Sequence, residues 1–144
     1  MADRWGGRLF KAGAVFLLLL GLIHALSLFG SPLPKNETEK QLLDLVHNYK
    51  FNVMGSMRTY DDFTRGFSIS FMLAALVMGG LGLVLRRERA GLLKRVALIY
   101  MAWLAAMSAV SLRYFFVFPT TCLLIALVIF VLSWSKLPAE TRVG

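Results

Sequence analysis

Hydrophobic and polar positions fall in long blocks along the chain, without the two-residue alternation typical of a half-buried β-strand. Four stretches contain no Asp, Glu, Lys or Arg, at residues 12–29, 66–85, 96–112 and 114–135. A helix rises about 1.5 Å per residue, so each can cross roughly 30 Å of hydrocarbon, the third only with help from its flanks. The pattern predicts an all-α fold, an integral membrane four-helix bundle in a single domain over residues 1–144.

The segment between the first two spans, residues 30–65, predicts a fifth helix outside the membrane. Asn36 stands three residues before Glu39, the spacing at which a capping side chain and its partner satisfy free helix amides. An apolar face follows at helical spacing, formed by Leu42, Leu45, Val46, Tyr49 and Val53. We expect an amphipathic helix that lies on the outer membrane surface or packs onto the spans.

Composition supports a membrane protein, because 58% of the residues are hydrophobic and the mean hydropathy is +0.67. Lys and Arg number 16 against 8 acids. These charges lie between the apolar blocks and form no RNA-binding or zinc signature, so we expect no nucleic-acid partner. The expected partners are the lipid bilayer and another membrane protein or a second copy of the chain. The single cysteine excludes an intramolecular disulfide and a Cys-x-x-Cys redox pair.

The positive charges also predict the orientation of the spans, because loops rich in Lys and Arg stay in the cytoplasm. The connector at residues 86–95 reads RRERAGLLKR, with five basic residues. With four spans, five more lie on the same side: Arg4, Arg8, Lys11, Lys136 and Arg142. We therefore predict that this connector and both termini are cytoplasmic. The first span also resembles a signal peptide, but no clear Ala-x-Ala site follows it, so we expect an uncleaved helix.

Candidate chemistry gathers at the predicted outer mouth of the bundle. His24 lies inside the first span, about five residues or roughly 8 Å below its outer end, and polar side chains at this depth usually face the bundle interior. Polar residues of the other spans fall in the same layer, namely Arg58, Tyr60, Asp61, Asp62, Arg65, Arg113 and Tyr114. An imidazole hydrogen-bonded there could hold a quinone carbonyl, shuttle a proton or ligate a metal.

Structural roles are open for the same residues. Thr59 can cap the second span with Asp62 at the third position, and Tyr60 can anchor it among the lipid headgroups. His24 can bond a backbone carbonyl or a hydroxyl of a neighbouring helix. A bis-histidine haem would need His47, which lies outside the spans, and a zinc site lacks a third ligand. We therefore expect no metal and no evident cofactor, although a quinone could bind. Whether the chain is an enzyme stays open, with the absence of a catalytic motif pointing against it.

Small residues predict which spans approach closely. Ala75 and Gly79 in the second span have a four-residue spacing that allows close backbone contact. The third span carries the same spacing in the pairs Ala102 and Ala106, and Ala105 and Ala109. We expect the second and third spans to form a tight hairpin.

A resemblance covers most of the chain. The run VHNYKFNVMGSMRTYDDFTRGFSISF resembles the signature GS-x-RTY-x-DF-x-x-GF of a family of small bacterial four-helix membrane proteins of uncharacterised activity. Further matches are Gly-Leu-x-His at residues 21–24 and Arg-Tyr-Phe-Phe at 113–116, followed by Pro119; Thr64 departs from the usual aromatic residue. This resemblance implies a location in the inner (cytoplasmic) membrane of a bacterium and no established activity. The family is distantly similar to DoxX-type proteins, some of which work beside quinone-linked oxidoreductases.

Three functions are consistent with the sequence. The first is an accessory or ligand-binding membrane module with a polar pocket at the outer face. The second is a DoxX-like quinone-linked redox protein. The third is a small transporter, since four-helix multidrug exporters have a similar length, but those rely on a carboxylate in mid-membrane and none of the four charge-free stretches contains one. The first fits the absence of a catalytic motif.

Overall fold

A computed structural model of the chain describes residues 2–30 and 33–138, with side chains described from Trp5 onward. The side chain of Arg4 and the whole of Arg142, both used in predicting the orientation, lie outside this described part. The elements follow in the order α1 (Ala2–Ser27), α2 (Glu37–Asn48), β1 (Phe51–Val53), β2 (Ser56–Arg58), α3 (Tyr60–Leu85), α4 (Ala90–Tyr114) and α5 (Val117–Lys136).

Four of these helices are long and apolar enough to cross a membrane: α1 from Trp5, α3, α4 and α5. The predicted all-α membrane bundle, with α2 between the first two spans, is confirmed. Helices α3 and α4 begin at Tyr60 and Ala90, earlier than the predicted spans at 66 and 96. The charge-free stretches underestimate the helices because charged residues continue a helix beyond the hydrocarbon, where water is available to them.

The described residues form two compact units. We call residues 2–20 and 75–138 the helical unit, and residues 21–30 and 33–74 the hairpin unit. Helices α1 and α3 contribute residues to both.

Three aromatic rings form the centre of the helical unit. Phe10, Tyr100 and Phe130 come from α1, α4 and α5, and their ring centroids are separated by 5.1 to 6.2 Å. All three residues are buried. The Tyr100 hydroxyl also donates a hydrogen bond of 2.5 Å to the carbonyl of Met78 in α3. One side chain therefore connects α4 to the three other helices of the unit.

Two further hydrogen bonds join helices in this unit. Ser133 of α5 donates through Oγ to the Gly6 carbonyl of α1 at 2.9 Å, and the hydroxyls of Ser111 and Thr120 lie 2.7 Å apart between α4 and α5. All three hydroxyl residues are buried. In a span, such groups need protein partners because lipid offers none.

The small-residue prediction was right about α3 as a close-packing helix and wrong about its partner. A Cβ added to Gly79 would come within 2.8 Å of the Ala14 carbonyl oxygen and the Leu18 nitrogen, both in α1. Helix α4 packs most extensively against α5. The small residues of α4 expected to face α3 are exposed: Ala102, Ala105, Ala106 and Ala109. The tight hairpin of the second and third spans is therefore wrong.

In the hairpin unit, α2 begins as predicted. The Asn36 side chain accepts a hydrogen bond of 2.8 Å from the Glu39 amide, and Glu39 in turn accepts 2.7 Å from the Lys35 amide. These bonds satisfy backbone donors that no carbonyl inside the helix can reach.

Helix α2 ends at Asn48, and a β-hairpin follows that the sequence did not predict. Val53, expected on the apolar face of the helix, lies instead in strand β1 and pairs with Ser56. The two-residue turn consists of Met54 and Gly55, with φ of 50° and 89°, and the Gly55 amide donates 2.8 Å to the Asn52 side chain. Positive φ at both positions matches the twist of a tight hairpin turn.

Candidate functional site

An ion cluster links α2 and α3 within the hairpin unit. The Arg65 Nε donates to Asp61 Oδ2 at 2.7 Å, one helical turn away on α3. The other carboxylate oxygen, Oδ1, lies 3.9 Å from Nε2 of His47 on α2. Two predicted site residues, Asp61 and Arg65, are therefore together, and His47 joins them.

The ring orientation of His47 is set by its own helix. Its Nδ1 lies 2.6 Å from the Leu43 carbonyl oxygen, which can only accept, so Nδ1 carries a proton. Nε2 then faces Asp61 either as a lone pair or, in the imidazolium, as a second donor. The contact is attractive only in the charged form.

Asp62 is part of the start of α3, as its structural role predicts. The Asp62 backbone amide donates a hydrogen bond of 3.1 Å to the Thr59 hydroxyl. The Thr59 backbone amide donates one of 2.9 Å to the Asp62 carboxylate. This reciprocal pair satisfies two backbone donors at the helix start. Asp62 is therefore a helix cap in this structure.

Arg58 and Tyr60 flank the cap without joining the ion cluster. The Arg58 guanidinium donates a hydrogen bond of 3.0 Å to the neighbouring Met57 carbonyl. The Tyr60 ring lies 4.8 Å from the Phe51 ring of strand β1, and Phe51 also stacks on Phe63 at 5.9 Å. These rings attach the hairpin to the first turn of α3.

His24 differs from the other predicted site residues because its Nε2 is buried and has no hydrogen-bond partner in the described part of the chain. Its ring packs edge-on against Phe71 of α3, with centroids 5.0 Å apart. The Ser27 hydroxyl, one turn further along α1, donates a hydrogen bond of 2.6 Å to the His24 backbone carbonyl and not to the imidazole. The expected bond from His24 to a backbone carbonyl or hydroxyl is absent from the described residues.

Arg113 and Tyr114 belong to the helical unit. They were expected at a turn around Arg113, but α4 continues to Tyr114 and the turn falls at Phe115 and Phe116. The Arg113 Cζ lies 5.5 Å from the centroid of the Tyr114 ring. A cation over an aromatic face at a span end is typical of the membrane–water interface.

Near the start of α3, the hairpin unit has a shallow groove. It measures about 210 Å³ and is lined by Asp62, Phe63, Gly66, Phe67 and Ser70. The Ser70 hydroxyl donates a hydrogen bond of 2.9 Å to the Gly66 carbonyl of the preceding turn, so its proton is in use and only its oxygen can accept from a ligand. The groove is apolar in character, with 75% of Phe67 exposed.

Sequence reasoning missed two features of interest. His47 was set aside because it lies outside the spans, and only the fold brings α2 onto Asp61. Ser108 of α4 is buried, and its Oγ has no partner among the described residues. Nothing in the sequence distinguishes Ser108 from the bonded Ser111 one turn later.

In the described chain, no group of three His, Cys, Asp or Glu side chains is arranged to hold a metal ion.

Comparison with family models, curated proteins and solved structures gave no match for this chain.

Proposed function

We propose that this chain is a small membrane module that binds a ligand at His24, with no turnover of its own. The observation that carries the proposal is the buried, unpartnered Nε2 of His24 in the span Trp5–Ser27. A buried polar atom without a partner costs about 1–3 kcal/mol. A ligand that bonds Nε2 would remove this cost, and polar side chains inside spans usually mark functional sites.

The other predicted site residues of the hairpin unit support His24 as the binding group, because their carboxylates are already in use. Asp61 is held by Arg65 and approached by His47, and Asp62 caps α3. A ligand bound through either carboxylate would compete with these contacts. Among the described residues, no such contact competes for Nε2 of His24.

The chemistry around His24 indicates the class of ligand. The imidazole can donate or accept one hydrogen bond through Nε2, according to its tautomer. The edge-on ring of Phe71 adds an apolar surface beside it. We therefore infer a lipid-soluble ligand with a hydrogen-bonding group on a flat apolar body. A quinone has this chemistry, since its carbonyl oxygens can accept from Nε2–H.

Quinone binding is the alternative that connects this module to a DoxX-like redox role. In that case the chain would hold the quinone beside a partner oxidoreductase that supplies the electrons. Nε2 of His24, which has no partner among the described residues, favours this alternative. A transporter of the exporter type would need a titratable carboxylate in mid-membrane, and the two of α3 lie in its first turn.

We further infer that the segment between the first two spans lies at the outer face of a bacterial inner membrane, with both termini cytoplasmic. The support is the basic composition of the α3–α4 connector and the balanced charge of the segment between the first two spans. The chain could associate with another membrane protein or with itself.

Native mass spectrometry of protein purified gently from its own membranes tests the proposal. Three chains are compared with the unaltered one: His24→Phe, which keeps an aromatic ring against Phe71, His24→Ala, and His47→Ala as a matched histidine control. We expect a bound small molecule in the unaltered chain and in His47→Ala, and its loss in both His24 variants. If none is found, a panel of quinones is added and the thermal unfolding temperature is measured.

Three results would contradict the proposal. One is a ligand that remains in both His24 variants. Another is the absence of any ligand from native membranes together with no response to the quinone panel. The third is a protein partner retained in every chain without a small molecule, which would make the chain a structural subunit.

A further inference from the structure

The helical unit contains an open cavity of about 270 Å³ at the end where α1 begins, α3 meets α4 and α5 ends. Its lining includes Gly7, Arg86, Arg87, Ala90 and Leu137. We propose that this cavity binds the phosphate headgroup of an anionic phospholipid. The proposal is independent of ligand binding at His24, because all of these residues belong to the other unit.

The two arginines differ in how much of their bonding capacity is in use. The Arg86 guanidinium donates a hydrogen bond of 2.6 Å to the Leu83 carbonyl at the end of α3. This bond leaves most of the five N–H groups of Arg86 available. Arg87 is exposed and makes no hydrogen bond or ion pair with any residue of the described chain. Glu88 also lines the cavity and is unpaired there. The lining keeps a net positive charge.

The charge around the cavity extends beyond its lining. Further basic residues of the helical unit lie in the first turns of α1 and α4, in the connector and at the end of α5: Arg8, Lys11, Arg89, Lys94, Arg95 and Lys136. Helix α4 also starts beside the cavity, and its N-cap residue Arg89 makes no side-chain bond to the first amides. The positive end of the helix dipole adds to the attraction for an anion.

Apolar and aromatic groups indicate a lipid and not a free anion. Leu93 and Leu137, both buried, form an apolar part of the same lining. Trp5 and Trp134 lie at this end of the unit and remain partly exposed, with the Lys94 Nζ 5.2 Å from the Trp134 ring centroid. Tryptophan beside basic residues at span ends is typical of the headgroup level of a bilayer. A phosphate with a glycerol and acyl chains would use both the arginines and the leucines.

Gly7 provides a way to close the cavity without changing its charge. A Cβ added at Gly7 would meet no atom within 4 Å, whereas one at Gly6 would come within 2.7 Å of the Leu137 nitrogen. A side chain at position 7 therefore starts in open space, and we expect a leucine there to occupy part of the cavity.

The test measures dissociation constants of phosphatidylglycerol and phosphatidylcholine for the purified full chain in detergent, by native mass spectrometry. The variants are Arg87→Gln, which removes one exposed charge, Gly7→Leu, which fills space, and Lys50→Gln, which removes an exposed charge from the hairpin unit as a matched control. We expect phosphatidylglycerol to bind more tightly than phosphatidylcholine. Arg87→Gln and Gly7→Leu should each weaken it about fivefold, and Lys50→Gln should leave it unchanged.

The proposal is overturned if Gly7→Leu and Arg87→Gln bind phosphatidylglycerol as tightly as the unaltered chain, or if Lys50→Gln weakens binding as much as Arg87→Gln. It is also overturned if millimolar inorganic phosphate displaces the lipid completely, because the cavity would then be a site for free phosphate. The thermal unfolding temperature of each variant, compared with that of the unaltered chain, shows that a loss of binding is not a loss of folding.

Discussion

His47 Nε2 lies 3.9 Å from Asp61 Oδ1, which ties the last turn of α2 to the first turn of α3. The Leu43 carbonyl accepts from the other ring nitrogen of His47, so the ring is fixed with Nε2 towards the carboxylate. Arg65 donates to the second oxygen of the same carboxylate at 2.7 Å. Asp61 is therefore the point at which α2 meets the first turn of α3.

We predict that amide exchange in α2 is faster in His47→Ala than in the unaltered chain, because the variant loses the contact with Asp61. The difference should be about two- to fivefold, the effect of a partly exposed polar contact. Hydrogen-exchange mass spectrometry at one pH checks this, with Asn48→Ala as a control in the same helical turn, since the Asn48 side chain bonds Asp44 of its own helix. An equal effect in Asn48→Ala would assign the change to the helix itself and not to its contact with α3.

Tyr100→Phe should destabilise the helical unit by about 1 kcal/mol, because it removes the hydroxyl bond to the Met78 carbonyl and keeps the ring contacts with Phe10 and Phe130. The measurement is unfolding in mixed detergent followed by circular dichroism. Tyr114→Phe is the control, since its ring is 73% exposed and no hydrogen bond of its hydroxyl is seen in the described chain. Equal effects of the two substitutions would argue against the interhelical bond.

Gly79→Ala should destabilise the same unit by about 1–3 kcal/mol, because the new methyl group meets backbone atoms of Ala14 and Leu18 in α1 that cannot rotate away. Gly80→Ala, one residue later in α3, adds a methyl group in open space and should be neutral or slightly stabilising. Unfolding of both variants under identical detergent conditions gives the comparison. A Gly80→Ala chain as unstable as Gly79→Ala would mean that the loss comes from the helix itself and not from its contact with α1.

The start sites of α2 and α3 were predictable because helix caps depend on residues three positions apart. Asn36 with Glu39 and Thr59 with Asp62 form their bonds as the spacing indicates. The β-hairpin between them was missed because methionine at a position of positive φ is not a turn signal. Met54 adopts a positive φ within a turn that is formed together with Gly55. The Gly55 amide donates to the Asn52 side chain and closes this turn.

Contacts between distant parts of the chain were the less predictable ones. Alanine is common around the circumference of α4, so its four-residue spacings could not identify the face that packs. Between residues 102 and 109 the buried positions are Leu104 and Ser108, and not the alanines. His24 was predicted as a polar residue of the span, but its unpartnered Nε2 depends on which residues α3 brings beside it. The approach of His47 to Asp61 needs the turn after α2, which the hairpin provides.

Cysteine labelling should show that the segment between the first two spans and the α3–α4 connector are exposed on opposite sides of the membrane, as the distribution of basic residues predicts. In a chain carrying Cys122→Ser, which removes the single native thiol, we introduce Lys50→Cys or Arg89→Cys, both at exposed positions. In intact bacterial spheroplasts, a membrane-impermeant maleimide should label Lys50→Cys at once and Arg89→Cys only after the membrane is opened. The Cys122→Ser chain alone should stay unlabelled. Labelling of Arg89→Cys in intact spheroplasts would reverse the orientation and place His24 near the cytoplasmic face, where a ligand would have to enter from the opposite leaflet.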